Sequence, residues 1–254
     1  MGSRLRDAVI PLVTVTIIIL LWEGVATYFE IPRYLVPKPT EIAESLHKGL
    51  VSLQLLPHIL ATLKGMFGGY FLGCPIGLIV AALLSEYRLL EKAFYPILVA
   101  FQSIPKVALA PVIIVWFGFG LESKIVLVAL MTFFPLFINA FAGLRSYNRD
   151  LEDMFRVFGA SRWRIFFKVK MPAAASHIFA GLQTTIILAM LGTVISEMIS
   201  AERGLGFFIQ ASMFTFDVPM MFACTIILAV IGVCAMQVVI AARRATIFWE
   251  RDPR

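Results

Sequence analysis

Residues 157–172 read VFGASRWRIFFKVKMP: four cationic side chains, a Gly-Ala-Ser break and a closing proline, set between two long apolar runs. Taken with the preceding NRDLEDMFR (148–156), the stretch has the grammar of two short helices. Asp150, Glu152 and Asp153 fall in a first turn, where negative charge is favoured. That helix runs past Phe155 and Phe158 and stops at Gly159, the residue type best suited to a left-handed C-terminal cap. Ser161 caps a second helix over 162–170, with Trp163, Phe166 and Phe167 on one side and Arg162, Lys168 and Lys170 elsewhere. Pro172 breaks that helix and suits the first turn of the next one. A hinged basic elbow of this kind is built to dock. A basic helix lying on anionic lipid would account for the charge and the aromatics. It leaves the acidic start, the glycine hinge and the proline without a reason.

What flanks the elbow decides the class. Of 254 residues, 60% are apolar and 15% charged, and the mean hydropathy is +0.89. Soluble domains carry roughly a quarter charged residues. The apolar residues come in long blocks without the alternation of a membrane barrel. We therefore read an all-α, polytopic membrane protein. A hydrocarbon core of about 30 Å needs roughly 20 helical residues. On that ruler six spans emerge, over 8–29, 59–84, 93–117, 124–144, 174–199 and 219–242, with the elbow in the 145–172 connection between spans four and five. The chain divides into a first span with its connecting segment (1–58), a core (59–244) and a tail (245–254). The amino end could pass for a secretory signal, but an uncleaved span is the better reading, and either places the next loop outside.

Orientation follows from Lys and Arg. Putting the amino end, 85–92, the elbow and the tail on one side collects about 15 basic residues there, against about five in the other loops. Basic loops stay in the cytoplasm, so both termini and the elbow face inward. This also explains the net charge of +6 without nucleic acid.

Two spans are more than anchors. Gly65, Gly69, Gly73 and Gly77 recur every fourth residue, with Gly68 beside them, and small residues at that period let a second helix approach closely. The third span carries Pro96, Pro105 and Pro111 with Lys106. Each proline removes a backbone donor, and a mid-membrane lysine is tolerated against water or a partner. The span therefore reads as kinked and lining a cavity, unless Lys106 snorkels from a shorter span.

On these residues the elbow resembles the EAA loop of binding-protein-dependent ATP-binding-cassette (ABC) importer permeases, E-A-A-x3-G-x9-I-x-L-P. Gly159 holds the glycine position, and Val169, Met171 and Pro172 stand for Ile, Leu and Pro. Asp153, Met154 and Phe155 replace E-A-A, keeping the acid and neither alanine. The flanks 104–146 and 177–209, with YLVPKPTEI at 34–42, are similar to permeases of the nitrate, sulfonate, taurine and pyrimidine-precursor type. The resemblance covers roughly residues 34–244.

It implies a translocation subunit of a bacterial inner-membrane importer. Asp153, Phe155, Gly159, Ala160, Ser161, Arg162, Trp163, Arg164 and Pro172 would seat a separate ABC ATPase subunit, which binds ATP and Mg. An extracytoplasmic solute-binding protein would dock on outer loops such as 201–217, and a second permease chain, an identical copy or a different partner, would complete the pore within the lipid. For the path of a small polar or anionic solute we expect Gln102, Lys106, Gln183 and Glu197. Glu197 could equally mark the outer end of its span.

The chain carries no G-x-x-x-x-G-K-[ST] phosphate cradle, so hydrolysis belongs to a partner. No HExxH or GxSxG occurs, and His47, His58 and His177 sit in loops or at span ends, which argues against an enzyme and against a metal site. Cys74, Cys224 and Cys234 lie in apolar runs without CxxC spacing and read as small buried hydrophobes. The alternative, a secondary transporter or channel working without ATP, predicts paired broken helices in two repeated halves. One broken span and no repeat are found.

Overall fold

The computed structural model describes residues 2–200 and 202–248. It is helical throughout, with no strand among the described residues. In chain order the helices are α1 (Gly2–Tyr28), α2 (Pro39–Val51), α3 (Leu56–Glu86), α4 (Arg88–Gln102), a 3-10 turn (Lys106–Leu109), α5 (Ala110–Phe117), α6 (Leu121–Arg145), α7 (Arg149–Val157), α8 (Arg162–Ile165), a π turn (Phe166–Lys170), α9 (Met171–Ser200), α10 (Leu205–Phe214) and α11 (Val218–Thr246).

Among the described residues four helices are long and apolar enough to cross a membrane: α3, α6, the continuous run Arg162–Ile199 and α11. The expected third span is not one helix. Its halves, Arg88–Gln102 and Lys106–Phe117, meet at 88°. Pro105 supplies no donor and restricts Ile104 before it, so the ladder stops, and Pro111 in the first turn of α5 restarts it. The pair nevertheless crosses the bundle. Arg88 lines a recess with Lys170 at one end, while Phe119 and Gly120 line another with Lys124 at the opposite end. The first expected span falls within α1, whose described apolar part is Val13–Tyr28; the side chains at 8, 9, 11 and 12 lie outside the described residues. Most of the 245–254 tail lies outside them too.

The core is a trio of α3, α6 and α9. Gly65, Gly69, Gly73 and Gly77 are buried against α6. A Cβ on Gly69 would stand 2.3 Å from the Val128 Cβ, and one on Gly73 would stand 2.4 Å from the Ala129 carbonyl oxygen. Absent side chains let the two backbones close, and Phe137, Ala140 and Leu144 then pack with Ala174 and Ile178 of α9. Cys74 and Cys224 are buried; Cys234, expected to be, is exposed on α11.

Two connections read as loops hold helices. In α2, Pro39 sits in the first turn and the Glu41 carboxylate accepts the Lys38 N–H at 2.9 Å. In α10, Gly204 starts the helix at φ +142. Both are too short to stand out beside the spans, α2 being mixed in polarity as well and α10 a ten-residue apolar stretch.

Candidate coupling elbow and path residues

The elbow is assembled from local rules. Asn148 caps α7 by accepting the Asp150 N–H at 2.8 Å, and Asp150 and Glu152 occupy the first turn. At the other end Gly159 adopts φ +73; its N–H donates to the Arg156 carbonyl, and the Ala160 N–H donates to that of Phe155, both at 2.9 Å. These two bonds satisfy the last carbonyls of α7 and turn the chain. The Ser161 hydroxyl then caps α8 by accepting the Arg164 N–H at 3.4 Å.

Pro172 does not break the second helix, contrary to the expected helix end at 170. The run continues from Arg162 to Ile199. A proline cannot donate to the carbonyl four residues back, and the helix absorbs the defect by widening: the Met171 N–H donates to Phe166, five residues back, closing the π turn Phe166–Lys170. The elbow is therefore rigidly continuous with a span.

That turn also reorients its side chains. Phe166 is buried while Trp163 and Phe167 are exposed, so the three aromatics do not share one face. Lys170 turns inward, pairs with Glu86 at the end of α3 at 2.7 Å and lies 5.0 Å over the Tyr147 ring. Glu152 pairs with Arg156 at 2.6 Å. Burial acts to raise the Glu152 carboxyl, but the Tyr147 hydroxyl, Lys170 and Arg156 together hold it below its ordinary value. Tyr147, mainly through burial and then through that same carboxylate, is pushed up to about 12. Arg145 reaches Glu91 at 2.5 Å. Ion pairs thus lash the root of the elbow to α3 and α4, around a polar recess of about 910 Å³.

The tip is different. Val157 is 85% exposed, Phe158 80% and Trp163 70%. Asp153, Gly159, Ser161, Arg162 and Arg164 are exposed, Phe155, Ala160 and Pro172 half-buried. A capped, braced frame thus presents apolar and cationic side chains that remain exposed among the described residues.

Of the path candidates, the structure brings two together. Lys106 Nζ donates to the Gln102 carbonyl at 2.5 Å and stands 4.9 Å over the Phe134 ring, at the break between the half-helices. Gln183 is half-buried on α9. Glu197 is elsewhere. It is fully buried at the far end of α9, paired at 2.8 Å with Lys124, itself 3% exposed. Glu197 also accepts the Thr62 hydroxyl at 3.0 Å and the Gly206 N–H at 2.9 Å. Its carboxylate is thus engaged by groups from α3, α6 and the start of α10. Sequence reasoning passes over Lys124 because it stands where a span begins and reads as a flanking lysine. The available signal is depth: Lys124 opens the fourth span and Glu197 nears the end of the fifth, so both lie equally far from the same surface.

This architecture has relatives. Residues 73–245 match the family model of the binding-protein-dependent transport system inner membrane component. The chain is 37% identical to the riboflavin transport system permease protein RibX of Chloroflexus aurantiacus, over 94% of this chain and 89% of that one. It is 32% identical to the formylaminopyrimidine transport permease protein ThiX of Halalkalibacterium halodurans, over 98% and 99%. In fold it superposes on a chain of an inward-facing MetNI methionine ABC transporter structure with a TM-score of 0.68, covering 77% of this chain and 97% of that one at 21% identity. A helical bundle with a braced, outward-presented elbow, in a chain matched along most of its length, leads to one assignment: it belongs to the binding-protein-dependent transport system inner membrane component family, the permease subunits of ABC importers.

Proposed function

We propose that the tip from Val157 to Arg164 is the seat of a separate ATPase subunit, which binds ATP and Mg and drives this permease through the elbow. The observation that carries this reading is the union of an uncovered tip with a root that is mechanically fixed. Val157, Phe158 and Trp163 are exposed, while Lys170–Glu86 and Arg145–Glu91 tie the same element to α3 and α4. A push on the tip is delivered to the spans because the π turn keeps α8 and α9 in one helix.

The remaining roles follow from this one. The elbow end faces the cytoplasm of a bacterial inner membrane, in keeping with its basic residues. The opposite end receives a loaded solute-binding protein. Gln102 is exposed and Lys106 half-buried on the flank of the bundle, so a path along them needs a facing wall, which a second copy of the chain supplies. The solute is small and polar or anionic. The relatives' names specify riboflavin and formylaminopyrimidine, both polar heterocycles.

Gly159 provides the test. An added Cβ meets nothing within 4 Å, so substitution there acts through backbone conformation alone. At φ +73 a β-branched residue costs about 1–2 kcal/mol, whereas asparagine tolerates that region. Gly159→Val is expected to abolish solute uptake in reconstituted complexes while the spans still insert, and Gly159→Asn to retain most of it. Equal uptake in the two variants would remove the hinge from the coupling mechanism.

A further inference from the structure

Two cavities lie side by side at the root of the elbow. The polar recess is walled by the α3–α4 corner, the α6–α7 corner and the elbow itself. Its cations are unevenly matched. Lys170, Arg156 and Arg145 are taken by Glu86, Glu152 and Glu91. Arg88, Arg149 and Arg162 line the same recess, all three exposed, and none forms an ion pair among the described residues. Asp153 is the one lining carboxylate outside those pairs. The recess therefore carries an excess of positive charge.

The second cavity is an apolar groove of about 260 Å³. One wall is the end of α3, where Ile79, Leu83 and Glu86 follow one another at helical spacing; the other is Trp163 and Phe166 of the elbow. Ile79 is 58% exposed on a spanning helix, so this wall faces what surrounds the bundle. Recess and groove share Glu86, Tyr87 and Arg162, which makes them one continuous cleft, charged at one end and greasy at the other. Ile79 lies two turns before Glu86, roughly 10 Å deeper along the helix.

The polarity of the cleft selects its occupant. A small inorganic anion would satisfy the arginines and leave the groove empty. An acidic peptide would carry backbone donors and acceptors into a groove walled by Ile79, Leu83 and Phe166, where they go unpaired. A phospholipid with a negative headgroup meets both ends: its phosphate accepts from guanidinium groups, and an acyl chain covers the apolar walls. Such lipids are present in the cytoplasmic leaflet. This is a single lipid held between α3 and the elbow, unlike a basic helix lying flat on a lipid surface.

We propose that the cleft between the end of α3 and the elbow binds one anionic phospholipid, its headgroup against Arg88, Arg149 and Arg162 and an acyl chain along Ile79, Leu83 and Phe166. The proposal rests on the reading above only in placing the elbow end at the cytoplasmic leaflet.

The experiment uses the full complex in nanodiscs that hold phosphatidylglycerol as the minority lipid in phosphatidylcholine. Benzoylphenylalanine replaces Ile79 or, as the reference, Val233, which is 61% exposed on α11 away from the cleft. Mass spectrometry reads the ratio of the two lipid adducts. The phosphatidylglycerol share at Ile79 is expected to exceed that at Val233 at least about fivefold. Arg88→Gln/Arg149→Gln should bring the two positions within about twofold of each other, and Arg88→Lys/Arg149→Lys, which keeps the charge, should retain most of the enrichment. If the glutamine pair fails to assemble, Arg149→Gln alone is read, with an intermediate ratio expected. Equal shares at Ile79 and Val233 in the parent would overturn the proposal, as would enrichment undiminished by removing arginine charge or an Ile79 adduct with a polypeptide. Added inorganic phosphate is expected to leave the enrichment in place; its loss would assign the recess to a soluble anion and overturn the lipid. None of these readouts needs ATP or solute, so enrichment in a permease that recruits no ATPase subunit would refute the coupling reading and leave this one intact.

Discussion

Gly73→Ala is the most demanding test of how the bundle holds together, because it adds one methyl group to a helix that ordinarily prefers alanine. By intrinsic propensity the change should stabilise α3 by up to about 1 kcal/mol. Packing predicts the reverse. The new Cβ would stand 2.2 Å from the Thr132 hydroxyl oxygen, 2.4 Å from the Ala129 carbonyl oxygen and 2.8 Å from the Ala129 Cα. Thr132 cannot simply rotate away, since its hydroxyl donates to the Val128 and Ala129 carbonyls at 3.0 and 3.1 Å. Ala129 is backbone and has no rotamer to change. Restoring ordinary contact near 3.5 Å therefore requires α3 and α6 to part locally by about 1 Å. A gap of that size forfeits a quarter to a half of each neighbouring dispersion contact, including those of Gly69 with Val128 and of Gly77 with Phe133. Overpacking of this kind costs about 1–3 kcal/mol, which for a chain of this size lowers the midpoint of thermal unfolding by roughly 2–12 °C. The assay is the thermal midpoint of the detergent-purified complex, followed by size-exclusion. Gly24→Ala on α1 is the control, since nothing lies within 4 Å of its added Cβ. A Gly73→Ala midpoint equal to or above that of Gly24→Ala would refute the close-packing argument.

Two further predictions concern coupling and path. Lys170→Met removes the 2.7 Å link to Glu86, worth about 1–2 kcal/mol for a partly solvated pair; uptake should fall severalfold with the ATPase subunit still bound, Lys170→Arg should restore most of it, and undiminished uptake in Lys170→Met would dissociate that link from force transmission. Lys106→Met frees the Gln102 carbonyl and takes the cation off Phe134; the KM for solute should change while ATPase-subunit binding does not, and an unaltered KM would remove Lys106 from the path.

How much of the fold and of the elbow is legible in the sequence depends on the range of the interactions. The Gly159 hinge and the Ser161 cap are set by neighbours within a few residues, and both can be written down from 157–164 alone. The glycine period of α3 announces a close partner, though nothing in it names α6. Pro105 and Pro111 foretell a defect in the third span, but not an 88° bend, because the angle is set by α5 packing on Leu127 and Met131. Pro172 misleads, since a missing donor can be answered by a break or by a π turn, and only tertiary packing chooses. The Lys124–Glu197 pair spans 73 residues of sequence. In the sequence its lysine passes unremarked as the first residue of the fourth span, and its glutamate reads as a path residue or as the outer end of its span; in the bundle the two are paired.

Coupling requires the elbow tip to meet a nucleotide-hydrolysing subunit. A photoreactive benzoylphenylalanine at Trp163, a position 70% exposed, should on illumination of the intact complex in native membranes form an adduct with the ATPase polypeptide. An adduct confined to lipid or to a second permease chain would contradict that contact.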